Sequence, residues 1–129
     1  MTINHEDRCI GSMIGGACGD ILGANVEFRT RQEIADYGRI TEFMDGPRTE
    51  LGMFTDDTEM TVALASSIVE CDRVDAAHCA ARYAKVFKAM PRRGYGPGTT
   101  KILNALLEGA DYRKTGRMNS PEGSFANGG

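Results

Sequence analysis

Three consecutive side chains with hard oxygen atoms form the sharpest chemical feature of this sequence. Thr55, Asp56 and Asp57 stand directly before an apolar helical repeat. Hard cations such as Mg²⁺, Mn²⁺ and Ca²⁺ prefer hydroxyl and carboxylate oxygens as ligands, whereas zinc prefers nitrogen and sulfur. The same residue types also cap helices, because their oxygens accept hydrogen bonds from the free N–H groups of a first turn. Taken alone, the motif favours capping and leaves a metal site as the alternative.

A further carboxylate is flanked by apolar residues. Glu27 lies between Val26 and Phe28, just after a glycine-rich segment. A carboxyl group in apolar surroundings is a candidate acid, base or metal ligand, whereas a glutamate in a loop is more often solvated. The two histidines, His5 and His78, are isolated in the sequence, and nothing pairs either of them with a nucleophile.

Two glycine-containing segments have the composition of ligand-binding turns. Arg92 and Arg93 precede a run of glycines and suit a phosphate group, although an exposed basic turn is the simpler interpretation. Asn127, Gly128 and Gly129 can offer backbone N–H groups to a ligand, or they can form a flexible end. Both segments therefore stay open between binding and plain connection.

Helical periodicity dominates the elements that must position these residues. Apolar residues recur at spacings of three and four, and Asp56 and Glu59 have the D-x-x-E spacing of a capped helix start. Thr99 or Thr100 can cap the last helix, and the chain from Ala110 onward is polar and loop-like. No segment alternates long enough to predict a strand, so the predicted fold class is all-α. The predicted helices cover about residues 6–23, 55–71, 75–90 and 99–109, with a short one near 30–37.

The first predicted helix carries a glycine at every fourth position. Gly11, Gly15, Gly19 and Gly23 form one stripe, and each glycine inside a helix costs up to about 1 kcal/mol relative to alanine. The stripe therefore predicts close packing against another backbone or a bound molecule. The predicted core faces of the next two long helices consist of Met60, Leu64 and Ile68, and of Ala80, Tyr83, Ala84, Phe87 and Met90.

Composition bounds the class of protein. The chain has 129 residues, which suits one domain, and 15 basic against 18 acidic side chains give a net charge of −3. That balance argues against a broad contact with nucleic acid or an anionic membrane. No apolar stretch reaches the ~20 residues that a spanning helix needs, so we expect a soluble, cytoplasmic protein. The four cysteines lie in predicted helices, and we expect them to be reduced and mostly buried rather than bound to metal or linked as disulfides.

These segments resemble one family, the ADP-ribosylglycohydrolases, in order and in detail. The family opens with the pattern G-x-x-x-G-x-x-x-G-D-x-L-G-x-x-x-E-F and continues with G-x-x-T-D-D-T-x-M. An R-G-Y-G turn and an S-x-G-N-G-G motif follow. The matching residues here are Gly11, Gly15, Gly19, Asp20, Leu22, Gly23, Glu27 and Phe28, then Gly52, residues 55–58 and Met60, then residues 93–96, and finally Ser124 and residues 127–129. The chain is therefore identified as a member of this family along its whole length.

The resemblance implies a compact all-α fold and hydrolysis of the bond between C1″ of ADP-ribose and a modified side chain. It implies two divalent cations, Mg²⁺ or Mn²⁺, with Thr55, Asp56 and Asp57 as ligands in one cluster. It also implies catalytic roles for Asp56, Asp57 and Glu27, with Glu27 beside the metals and the scissile ribose. The implied partners are an ADP-ribosylated protein or a small ADP-ribose conjugate. The residues that match the substrate-binding motif are Ser124, Asn127, Gly128 and Gly129.

Two departures from the family pattern limit what carries over. Ala126 stands where the family has the first glycine of G-N-G-G. The family continues into a second metal-ligand cluster, G-D-x-D-[TS], which this sequence lacks. We therefore expect residues 1–129 to be the amino-terminal segment of such a domain, inactive alone and completed by a complementary carboxy-terminal chain or by self-association. The alternative is a truncated, non-catalytic relative that acts as a binding or structural protein.

Overall fold

Helices are the sole regular elements in residues 4–46 and 49–118, the part of the chain that a computed structural model describes. The all-α prediction is confirmed for these residues, and none of their helices is long and apolar enough to cross a membrane. The helices are α1 (His5–Gly23), α2 (Arg31–Tyr37), α3 (Asp56–Cys71), α4 (Ala76–Ala89), α5 (Pro97–Leu107) and α6 (Tyr112–Thr115). Outside the described residues lie the predicted substrate-binding residues Ser124, Asn127, Gly128 and Gly129.

The chain divides into two compact units, with the boundary between Thr58 and Glu59. The first unit contains α1, α2 and the first residues of α3. The short helix α2 begins with a capping box, in which the N–H of Glu33 donates to Thr30 Oγ at 3.3 Å and the N–H of Thr30 donates to Glu33 Oε2 at 2.8 Å. Both α1 and α2 were predicted, and these local side-chain bonds explain where α2 starts.

The apolar side of α1 is partly or fully exposed. No residue of α1 is buried, and Ile14 is 59% exposed. Within residues 4–46 and 49–58, no atom outside the helix backbone lies within 4 Å of the Cβ position of any glycine in the stripe. The close neighbour predicted for the glycine stripe is therefore not found within this unit.

A buried asparagine orders the long connection between α2 and α3. Asn25 donates from Nδ2 to the carbonyl of Met44 at 2.6 Å and accepts the hydroxyl of Thr49 at 3.3 Å. A Cβ on Gly46 would lie 2.0 Å from Asn25 Oδ1, so a larger residue there would displace the Asn25 side chain. Nothing in the sequence pattern singled out this anchor, since both its partners lie far along the chain.

The second unit is built on α4 and α5, which pack together, while α6 contacts both. Ala84 and Phe87 of α4 are buried as predicted, and Leu103 of α5 lies in the same core. The rings of Phe87 and Tyr95 meet edge to face, with centroids 5.0 Å apart. Met90 is exposed because α4 ends one residue before it, so that part of the predicted face is wrong.

Two helix boundaries in the second unit differ from the prediction. α5 begins at Pro97 after Gly96, because proline suits the first helical position, where no N–H is needed. The predicted cap at Thr99 or Thr100 is therefore wrong. The chain after position 110 forms the short helix α6 rather than a loop, and Asp111 caps its start.

The buried face of α3 consists of small residues. Ala63 is buried and Ser67 is 0% exposed, whereas no residue of the predicted face is buried and Ile68 is exposed. Ser67 Oγ lies 2.7 Å from Nδ1 of His78 on α4 and accepts the thiol hydrogen of Cys79 at 3.3 Å. These polar contacts lie on the buried face of α3 that Ala63 and Ser67 share. His78 is therefore not isolated, but Ser67 is fully buried and cannot meet a substrate.

The four cysteines are free thiols within helices, as predicted. Their predicted burial holds for Cys79 and is wrong for the other three, since Cys9 is exposed and Cys18 and Cys71 are partly exposed. Cys9 and Cys18 lie in α1, in which no residue is buried, and this explains two of the three differences.

Exposed apolar side chains predict that the 129-residue chain self-associates or melts at low temperature. Ile14, Val62 and Leu107 are exposed, and Val69 is 82% exposed. An apolar patch larger than a few hundred Å² is normally covered by a partner or causes aggregation. Light scattering and thermal melting of the purified chain provide the measurement. A monodisperse monomer with a cooperative melt would contradict this prediction.

Candidate metal centre

The carboxylate of Asp20, near the end of α1, binds the first turn of α3. Its Oδ1 accepts the hydroxyl hydrogen of Thr55 at 2.6 Å. Its Oδ2 accepts the backbone N–H of Thr55 at 2.9 Å, and the N–H and hydroxyl of Thr58 at 3.1 and 2.6 Å. These bonds join residues 35 and 38 positions apart and lie entirely within the first unit. One side chain therefore holds the whole Thr-Asp-Asp-Thr turn.

Asp20 takes the place of the capping box that the sequence predicts at this helix start. Thr55 directly precedes α3, and its Oγ accepts the N–H of Asp57 at 3.3 Å. The N–H of Thr58 is bound by Asp20. A carboxylate is favoured there, because the free N–H groups and the helix dipole attract negative charge. The predicted helix start is confirmed, but the predicted D-x-x-E cap from Asp56 is wrong.

Glu59 belongs to the second unit, where it binds the glycine-rich turn before α5. Tyr95 donates from its hydroxyl to Glu59 Oε2 at 2.5 Å, and Arg93 Nε lies 3.8 Å from Glu59 Oε1. The side chains of Arg93 and Glu59 are both largely buried. Arg93 is therefore an interior ion-pair residue rather than part of an exposed basic turn, whereas Arg92 is exposed as predicted.

Asp56 is the buried member of the acidic pair. Burial raises the pKa of its carboxyl group from an ordinary 3.8 to about 6, against the effect of a backbone hydrogen bond that lowers it. The negative charges of Asp57, Glu27 and Asp20 act in the same direction as burial. The first unit therefore gathers carboxyl groups that repel one another around a buried aspartate.

Glu27 lies in the turn that follows α1. Its N–H donates to the carbonyl of Gly23 at 3.0 Å, and its side chain is exposed. Phe28 is 78% exposed and has a φ of +63°, a left-handed conformation that bulky residues rarely adopt. Of the two interpretations left open for Glu27, the solvated one therefore holds. Its link to Asp56 is electrostatic, because its charge helps to raise the Asp56 pKa.

The donor chemistry of this turn fits a hard divalent cation. Thr55, Asp56 and Asp57 supply hydroxyl and carboxylate oxygens, and a cation would offset the repulsion that acts on Asp56. Across residues 4–46 and 49–118, no group of three or more histidine, cysteine, aspartate or glutamate side chains is placed to hold a metal ion. The turn therefore supplies suitable donor types, but the described residues do not form a cluster of metal-ligand side chains.

Comparison with known proteins identifies relatives along the whole chain. The model of the ADP-ribosylglycohydrolase family matches residues 1–129. The chain belongs to the ADP-ribosylglycohydrolase family. It is 41% identical to ADP-ribosyl-[dinitrogen reductase] glycohydrolase of Rhodospirillum rubrum over 67% of its own length. It is 31% identical to ADP-ribosylhydrolase ARH3 of Mus musculus over 95% of its length, and 34% identical to an uncharacterized protein of Archaeoglobus fulgidus over 86%.

These ADP-ribosylglycohydrolase relatives are much longer than the present chain. The matched region covers 30% of the Rhodospirillum rubrum protein, 36% of the mouse protein and 37% of the Archaeoglobus fulgidus protein. The chain therefore spans about a third of the length of the curated relatives it matches. The activities that these names state belong to the longer proteins.

Two side chains that position the turns have roles that sequence reasoning missed. Asp20 matched the opening pattern of the ADP-ribosylglycohydrolase family, but no local spacing pointed to a partner 35 residues away. Glu59 was assigned to a helix cap and instead binds Tyr95. A usable signal was present in the first case. A carboxylate between Gly19 and Ile21, inside an apolar helix, needs a hydrogen-bond partner to be placed there.

The raised pKa predicts that Asp56 destabilises the metal-free protein at neutral pH. The folded chain binds the Asp56 proton more tightly than the unfolded chain, so the stability contributed by this group falls as pH rises from about 4 to about 6. We expect Asp56→Asn to melt at nearly the wild-type temperature at pH 4 and at a higher temperature than wild type at pH 7. Calorimetry in the presence of a chelator measures the melting temperatures of the variant and the wild type at the two pH values.

Asp36→Asn is the matched control, since it removes one carboxylate from an exposed position of α2 in the same unit. This control separates the effect on melting temperature of losing any carboxylate from the effect of losing the buried one. If the difference in melting temperature between Asp56→Asn and wild type shrinks as pH rises, the predicted direction of the pH dependence is wrong.

Proposed function

We propose that this chain carries the amino-terminal part of the active site of a hydrolase that removes ADP-ribose from modified side chains. The bond to be cleaved is the N- or O-glycosidic bond at C1″ of the ribose. The observation that carries the proposal is the turn bound by Asp20, in which Thr55 is held next to the buried Asp56. Membership of the ADP-ribosylglycohydrolase family supports the same class of activity.

Hydrolysis at C1″ places three demands on the site. Positive charge develops at C1″ and needs stabilisation, a water must be positioned, and the leaving nitrogen or oxygen must gain a proton. The water supplies the hydroxyl group that remains on C1″, and its other proton ends on the leaving atom. We assign the positioning of ribose or water to Glu27, because its side chain is exposed while its charge acts on Asp56.

Thr55, Asp56 and Asp57 are the proposed ligands of Mg²⁺ or Mn²⁺. When bound, such a cation anchors ribose hydroxyls and polarises water. A complementary carboxy-terminal chain or self-association is proposed to supply the ligands that these three residues do not. The proposed substrate of the completed site is an ADP-ribosylated protein or a small ADP-ribose conjugate, and the proposed compartment is the cytoplasm.

A non-catalytic binding or structural protein is the second candidate function. One observation favours it: within the described residues no group of three or more histidine, cysteine, aspartate or glutamate side chains is placed to hold a metal ion. The two candidates differ in one measurable respect. A catalytic segment gains hydrolase activity when its missing ligands are supplied, whereas a binding or structural protein does not.

The incomplete ligand set predicts little or no hydrolysis by the 129-residue chain alone. A hard cation seeks about six oxygen ligands, so this turn would leave it mostly hydrated and weakly held. Release of ADP-ribose from ADP-ribosylated arginine and serine peptides, with Mg²⁺ or Mn²⁺ present, provides the measurement. Mass spectrometry of the native protein shows whether a second polypeptide copurifies, and mixing the two should restore activity. Strong release by the pure chain, lost in Asp56→Asn, would refute the inactivity of the chain alone.

Three substitutions test the assigned roles in whatever assembly hydrolyses the substrate. Asp56→Asn and Asp57→Asn should abolish turnover and Mn²⁺ binding while the protein stays folded, because asparagine can cap a helix but lacks the charge that a cation needs. Glu27→Gln should lower turnover and retain most Mn²⁺ binding. Activity assays and calorimetric Mn²⁺ titrations of the same samples provide the measurements, with Asp36→Asn as the control.

If all three variants keep both turnover and Mn²⁺ binding, the Thr-Asp-Asp-Thr turn is a helix start and nothing more. If Glu27→Gln loses Mn²⁺ binding as completely as Asp56→Asn, Glu27 is a metal ligand and its assignment as a positioning residue is wrong.

A further inference from the structure

We propose that Asp20 is a positioning residue that orients the Thr55 hydroxyl group so that a lone pair of its oxygen is left for a bound cation. The inference rests on the proposed function, because it concerns the same turn. A carboxylate offers about four lone-pair sites. Three of the four hydrogen bonds from Thr55 and Thr58 end on Oδ2 and one ends on Oδ1. Both oxygens of Asp20 are therefore engaged with the start of α3.

The hydroxyl group of Thr55 has a single hydrogen, and Asp20 determines where it points. Thr55 donates that hydrogen to Asp20 Oδ1 at 2.6 Å, and a carboxylate can only accept it. Thr55 Oγ also accepts the N–H of Asp57 at 3.3 Å, which leaves one of its two lone pairs. A cation binds a lone pair and repels a hydroxyl hydrogen. Asp20 therefore leaves Thr55 Oγ as an acceptor with one lone pair for a cation.

The two oxygens of Asp20 have separate partners, which makes one substitution selective. Oδ2 accepts the N–H groups of Thr55 and Thr58 and the hydroxyl of Thr58. Oδ1 accepts the hydroxyl of Thr55. In Asp20→Asn the amide oxygen should take the Oδ2 position, because two backbone N–H groups need an acceptor there.

The amide nitrogen of Asp20→Asn then replaces Oδ1 and faces Thr55 Oγ. A nitrogen that carries two hydrogens donates, so it takes the remaining lone pair of Thr55 and turns the hydroxyl hydrogen outward. The variant therefore keeps three of the four hydrogen bonds and reverses one hydroxyl group. A purely structural role for Asp20 predicts a small loss of stability and no specific effect on metal binding.

Mn²⁺ binding to the 129-residue chain tests this role. Water-proton relaxation measures both the affinity and the hydration of the bound ion, and calorimetry measures the melting temperature. We expect Asp20→Asn to weaken Mn²⁺ binding about tenfold or more, the usual effect of losing a partner that orients a metal ligand. Thr58→Val is the matched control, because it deletes one hydroxyl bond to the same carboxylate. It should lower the melting temperature and leave Mn²⁺ affinity unchanged.

The Thr55→Val background separates hydroxyl positioning from simple loss of charge. With Thr55 present, Asp20→Asn changes both the charge and the hydroxyl direction, whereas with valine it changes the charge alone. We expect the loss of Mn²⁺ affinity caused by Asp20→Asn to be several-fold smaller in Thr55→Val, because the two sites act through one hydrogen bond. Equal losses in the two backgrounds would overturn the proposal.

The remaining outcomes are also decisive. Wild-type Mn²⁺ affinity in Asp20→Asn would overturn the positioning role and leave the proposed function intact. So would an equal loss of affinity in Thr58→Val, since it would mark general loosening of the helix start. A wild-type chain that binds no Mn²⁺ would overturn the role assigned to Asp20 in this chain, whereas the proposed function is tested separately by the activity of the completed assembly.

Discussion

One carboxylate, that of Asp20, satisfies the polar groups that begin α3. Two backbone N–H groups and two hydroxyl groups converge on it from Thr55 and Thr58. A buried donor left without an acceptor costs about 1–3 kcal/mol. The start of α3 and the end of α1 are therefore placed by the same interaction. Everything that the Thr-Asp-Asp-Thr turn can do chemically depends on that placement.

The same arrangement has an electrostatic consequence for the acidic turn. Asp56 is buried, and the charges of Asp57, Glu27 and Asp20 add to the effect of burial on its pKa. A fold selected for stability alone has no use for a buried carboxylate among like charges. Such sites are typical of functional centres, where a cation or a positively charged reaction centre offsets the repulsion. The cost to stability and the binding proposed for this turn would both follow from the one geometry.

Polar contacts also organise the second unit. Ser67 meets His78 on the buried face of α3. Glu59 holds Tyr95, whose ring packs on Phe87 in the core. Val62, Ile68 and Val69 of α3 are exposed. In this helix the buried face is therefore the one that carries a satisfied polar side chain, and not the one with the larger apolar residues.

Local chemistry in the sequence by itself determined the all-α class, the approximate course of five helices and the position of the Thr-Asp-Asp-Thr turn. These features depend on neighbours within a few positions, and periodicity and spacing report such neighbours directly. The family followed from the resemblance of several motifs, in order, along the whole chain. Only the tertiary structure decided that Asp20 binds Thr55, that Ser67 faces His78 and that Glu59 serves a turn instead of a cap. The physical reason is that a carboxylate or hydroxyl can satisfy many donors, and only the folded chain selects one.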